Sequence, residues 1–172
     1  LIALEPGNKV WARDLTLAHI TAGEIADMRG DGASHIAHAL AAERSIRNFN
    51  ASADASLALQ RLIAATRVLI ARHPPGTADA PAQWDSAILE LERVARNSDG
   101  GIQETIALAK ALIARGRHRS DIGSKIAARR DWQRAADLPG TTAQDSKDPK
   151  VIAPWVAAHV LLGCRECVEA KI

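Results

Sequence analysis

From Ser34 to His73 the chain runs for 40 residues without a proline or a glycine. Those two residues are the ones that most readily interrupt a helix, and alanine, the best helix former, supplies 35 of the 172 residues. Within the run, Ile36, Leu40, Ile46 and Phe49 are followed by Leu59, Leu62, Ile63, Leu69 and Ile70, a recurrence at helical spacing. Residues 48–54 between them (Asn-Phe-Asn-Ala-Ser-Ala-Asp) favour bonds to their own backbone. The expectation is one long helix, or two with a joint near residues 50–54. Alanine also replaces the bulky residues that strands prefer, since there are only 7 Val and 3% aromatics, so close-packed helices are favoured over half-buried strands.

The same period marks the rest of the chain. Over residues 9–28, Trp11, Leu15, Ala18, Ala22 and Ile25 make one apolar stripe, which Arg29-Gly30-Asp31-Gly32 stops. Residues 73–81 hold Pro74, Pro75, Gly76 and Pro81 and cannot be regular. They separate a segment 1–73 from a segment 82–172, expected to pack together as one domain. Asp79 or Ala80 is placed to cap the next helix, whose stripe is Trp84, Ile88, Leu91 and Ala95. Ile102, Ile106, Ala109 and Ile113 form another face, with Gly116 expected to end it. Ser120 can cap a short helix through Ile122 and Ile126, with a break near residues 127–129 and a third piece at 129–134. After the polar linker 137–149, Asp148-Pro149 reads as a cap and first residue. The last helix holds Ile152, Trp155, Val156, Val160, Leu161 and Leu162, apolar on nearly every side, which makes it central or covered by a partner. No pattern alternates at period two, so the fold class is an all-α bundle of five to seven helices. Trp84, Ile106, Ile113, Trp155, Val156 and Val160 are its expected core.

Several functional classes are disfavoured. The chain opens with Leu1 and no basic-then-apolar leader, so it is expected to be processed or cut from something longer, with the cytoplasm the favoured location. Its longest uncharged stretch near the end, residues 151–164, is too short to span a bilayer, so membrane insertion is not expected. Cys164 and Cys167 have metal-site spacing, but zinc wants four ligands and only His159 is near in sequence. As a redox pair they would sit at a helix C-terminus, where the dipole opposes a thiolate. Two small core side chains or an incidental disulfide is the plainer reading. His35 and His38, at i and i+3, could offer two nitrogens to one metal, yet no HExxH or ExxH occurs and surface positions are expected. Neither a phosphate-cradling glycine loop nor a nucleophile elbow is present. No cofactor, metal or catalytic residue is assigned.

Charge is the informative feature. Residues 110–134 carry eight basic against two acidic residues, net +6, while the whole chain carries +2, which leaves −4 for the other 147. A positive field focused on one stretch of this size suits phosphates. Here Asp121-Ile-Gly-Ser-Lys-Ile-Ala127, then Trp132, then Asp137-Leu-Pro139 resemble the helix-turn-helix of ParB-type partition and KorB-type repressor proteins, over roughly residues 103–139. Ala127, Ala128 and Arg129 stand where that family carries a glycine and a small polar residue. The resemblance implies that Arg129, Arg130, Gln133 and Arg134 face a groove, while Ile122, Ile126 and Trp132 hold the helices together; Arg117 and Arg119 of the same basic stretch join them as candidate nucleic-acid contacts. The leading expectation is a non-catalytic helical domain that binds another protein or itself. A DNA-binding module using residues 115–134, with duplex DNA as partner, is the alternative, and a ligand-sensing bundle is the third.

Overall fold

The structure is a computed structural model that describes residues 8–47, 56–73, 80–99, 101–138 and 146–164. The fold is all-α. Among the described residues there are seven helices and no strand: α1 Lys9–Met28, α2 Gly32–Arg47, α3 Leu57–Arg72, α4 Ala80–Asn97, α5 Ile102–Asp121, α6 Lys125–Asp137 and α7 Pro149–Leu162. The joint expected near residues 50–54, the Asp79 cap, the proline stretch after His73 and Cys167 lie outside the described residues.

Local chemistry starts and stops these helices. Asn8 Oδ1 accepts the N–H groups of Val10 and Trp11, Ser56 Oγ accepts that of Leu59, and Asp148 Oδ1 accepts that of Lys150 with Pro149 as the first residue of α7. Each satisfies a donor that the first turn leaves unpaired. Asp31 does the same for Ser34, whose hydroxyl and N–H hold the Asp31 carboxyl below its ordinary value. At the end of α5, Gly123 has φ +84°, and the Ser124 N–H reaches back to the Arg119 carbonyl at 2.7 Å. That left-handed closure costs an L side chain energy and costs glycine none.

The chain divides into two compact units, Leu1–Glu90 and Leu91–Ile172, the division falling within α4. In the first unit α1, α2 and α3 pack together. The buried face of α1 is Thr16, Ile20, Gly23 and Ala26, whereas Ile25 of the expected stripe is exposed and Trp11, Leu15 and Ala22 are half-buried. Small residues win this face because they let helices approach closely: a Cβ on Gly23 would come within 2.8 Å of the Leu69 side chain. Ala39 and Ala42 of α2 and Ala64 and Ala71 of α3 are buried alongside Ile46, Leu69 and Ile70. In the same unit, Arg67 of α3 donates to Ser86 and pairs with Glu90 of α4 at 3.1 Å.

The second unit is built on α5, which buries Ile106, Leu108, Ala109, Ala111, Leu112 and Ile113. Ile106, Val151 and Trp155 form a cluster with Val156 against it. Trp84, Trp155, Ile106 and Ile113 are thus buried as expected and Val156 partly so. Val160 is not: it is 59% exposed, because α7 buries only the side bearing Val151, Pro154, Trp155 and Ala158. Gly116 does not end α5. It lies inside the helix, where a Cβ would fall on the Trp132 indole, so it provides space rather than a stop. Residues 102–137 are therefore two helices joined at residues 122–124, not three pieces.

Candidate functional site

Arg115 and Arg119 of α5 both meet Asp131 of α6, and Gly116 meets Trp132, so α5 and α6 run back along each other as a hairpin. Helical phase then decides what α6 shows to solvent. Ala128, Asp131, Ala135 and Ala136 are buried, and Lys125, Ile126, Arg129, Arg130, Gln133 and Arg134 are exposed on the other side. This corrects two roles implied by the helix-turn-helix resemblance. Ile122 and Ile126 do not hold helices together; they are 55% and 75% exposed. Trp132 does pack inward, against Gly116, and its indole N–H has no hydrogen-bond partner among the described residues.

The arginines split into two kinds. Asp131 is buried and accepts from Arg115 Nε at 3.0 Å, from Arg115 Nη2 at 2.7 Å and from Arg119 Nη1 at 2.9 and 3.1 Å. Arg119, a candidate for nucleic-acid contact, is thereby turned inward to balance a buried carboxylate. Arg134 pairs with Glu92, and Gln133 donates to Asp137 one turn on at 3.0 Å. Arg117 lies on the solvent side of α5 with Lys110 and Asp121. Arg129 and Arg130, together with Lys125, which the sequence reading left out, are exposed and have no ion-pair partner among the described residues. Lys125 could have been found from Arg129, because residues four positions apart lie on the same side of a helix.

A second cluster lies in the first unit. His35 is not on the surface, as expected, but fully buried, and His38 turns instead to His19, with the two Nδ1 atoms 3.2 Å apart. His35 Nδ1 lies 3.1 Å from the Gly23 carbonyl oxygen and Nε2 lies 2.7 Å from that of Leu69. Beside it, Asp27 meets His73 Nε2 through Oδ1 and Arg72 through Oδ2, both at 2.9 Å. Burial acts to raise the Asp27 carboxyl, but bonds from His73 and Arg72 and the charges nearby outweigh it and hold it below the usual range. For His19, burial, the His38 ring and the Arg44 charge all act to lower its pKa.

Cys164 is disulfide-bonded, so its sulfur is not a thiolate ligand. No helix among the described residues is long and apolar enough to cross a membrane. No protein-family profile matches the chain, and no curated protein or solved structure matches it either.

Proposed function

We propose that the protein is a non-catalytic helical binding module that docks another protein through the outward face of α6 and the turn before it. The observation that carries this is Ile126, 75% exposed on the same helical side as Lys125, Arg129 and Arg130, cations with no ion-pair partner among the described residues. One exposed isoleucine is ordinary. Two of them, Ile122 and Ile126, beside three exposed cations have the composition of a contact surface, where an apolar centre is dehydrated while charges at the rim choose the partner. The matching partner offers an apolar residue flanked by carboxylates.

A photo-crosslinking residue at Ile126 of the full chain tests this in cells. The expected result is a discrete, protease-sensitive adduct that disappears when Arg129 and Arg130 are both changed to Glu. No protein adduct at that position would end the proposal. A nuclease-sensitive adduct would favour the second reading, duplex DNA, which the same cations support because they share a helix side with Gln133. Under that reading, Lys125→Ala with Arg129→Ala and Arg130→Ala flattens the log–log salt dependence by about 3 units, from about 0.9 per lost phosphate contact. Arg134 is left out because Glu92 already holds it. No attraction to mixed-sequence duplex at low salt would dismiss DNA.

A further inference from the structure

We propose that Asp27, His35 and His73 form a binding site for a divalent transition-metal ion of the zinc or cobalt class, clipping together one end of each helix in the first three-helix set. This group is the one among the described residues whose His, Cys, Asp or Glu donor atoms converge, all within 4.8 Å of one another. Asp27 is in the last turn of α1, His35 near the start of α2, and His73 is the C-cap of α3. Zinc–ligand bonds of about 2.0 to 2.2 Å set neighbouring ligands of one ion about 3.4 Å apart in a tetrahedron. Asp27 Oδ1 and His73 Nε2, at 2.9 Å, would open by about 0.5 Å to reach that spacing, the ion taking the place of the proton between them. Two imidazoles and one carboxylate favour zinc-like ions over calcium or magnesium.

Three further features support a cation here. Asp27 and His73 sit at the C-terminal ends of α1 and α3, the negative poles of the helix dipoles, where a cation is favoured. Asp27 and His73 are each partly exposed, so an ion would reach them from solvent and water would complete its coordination. Finally, His35 faces a carbonyl oxygen with each of its ring nitrogens, yet a neutral imidazole has one N–H to donate. A small turn of the ring would keep one N–H···O=C bond and present the other nitrogen to a metal, the arrangement that metal-bound histidines ordinarily have.

The test uses the full chain stripped with chelator and titrated with Co²⁺, then Zn²⁺. The expected result is one Co²⁺ per chain with visible d–d absorption, bleached by Zn²⁺, and an unfolding midpoint raised by about 5 to 10 °C at a hundredfold excess over Kd. Asp27→Asn and His73→Ala should each abolish the absorption while leaving far-UV circular dichroism unchanged, since neither side chain is in the apolar core. His38→Ala should keep it. Absence of stoichiometric Co²⁺, or absorption that survives both Asp27→Asn and His73→Ala, overturns the proposal. So does absorption lost in His38→Ala and retained in the other two, which would move the ion to the His19–His38 pair.

Discussion

A buried carboxylate with two guanidinium partners sets the strongest residue-scale expectation. Removing Asp131 takes away the buried carboxylate to which both Arg115 and Arg119 donate, and breaking such a buried pair costs about 3 to 5 kcal/mol. Asp131→Ala should therefore lower stability by about that much in urea unfolding, whereas Arg129→Ala, exposed and unpartnered, should stay within about 0.5 kcal/mol. Comparable losses in the two variants would show that Asp131 is not the anchor of the hairpin. His19 gives a pH dependence of definite sign. Its folded-state pKa lies below the ordinary 6.5 through burial, the His38 ring and the Arg44 charge, so the unfolded chain takes up that proton first as pH falls. The stability contributed by this site is complete above pH 6.5 and is lost as pH drops through the folded value. Unfolding followed from about pH 8 to about pH 5 should show a smaller loss in His19→Gln than in the parent; an equal loss would place the pH sensitivity elsewhere.

At the scale of the element, two glycines of one hairpin act for opposite reasons. In the interior of a helix, Gly→Ala ordinarily gains about 1 kcal/mol. At Gly116 the new methyl would meet the Trp132 ring, a rigid group, so Gly116→Ala should instead destabilise by about 1 to 3 kcal/mol, the cost of overpacking. At Gly123 nothing crowds the position, but φ is +84°, and Gly123→Ala should cost about 1 kcal/mol through the backbone alone. Combining Gly116→Ala with Trp132→Leu separates the two: it should recover the loss at 116 and leave the loss at 123 untouched. In α7 the contrast is between neighbours on different sides of one helix. Trp155→Ala should cost about 3 to 5 kcal/mol and Val160→Ala almost nothing, read from urea midpoints. Both residues look alike in the sequence, because α7 is apolar all round and hydropathy alone cannot say which side is covered.

Over the whole molecule, the property that organises both units is an interior built on small residues. Ala39, Ala42, Ala64, Ala109, Ala111, Ala128 and Ala158 are nearly or fully buried, side chains short enough to let helix backbones pack closely. Ala42→Leu and Ala109→Leu keep helix propensity almost unchanged, yet each should destabilise by about 1 to 3 kcal/mol by urea unfolding. Neutral outcomes would mean that the helices have room to separate. The same interior explains what could be read in advance. Helix identity, the Asp148-Pro149 start and the absence of strands in the described residues all follow from interactions within about four positions, which the sequence displays directly. So does the basic character of residues 110–134. The phase of α1 did not follow, because three of the four residues of its buried face, Thr16, Gly23 and Ala26, are small or polar and only Ile20 is strongly apolar, while Leu15, Leu17 and Ile25 advertise faces that nothing in the first unit fully covers. Which arginines are free was equally hidden. Arg119 reaches Asp131 twelve positions on, and Arg134 reaches Glu92 forty-two positions back. Such partners exist only once helices have packed. His35 shows the same limit, since its burial depends on the Gly23 and Leu69 carbonyls of two other helices. Local backbone preference is a property of neighbours along the chain, and the sequence by itself determined the helices; charge pairing and burial are properties of neighbours in space, and only the packed structure decided them.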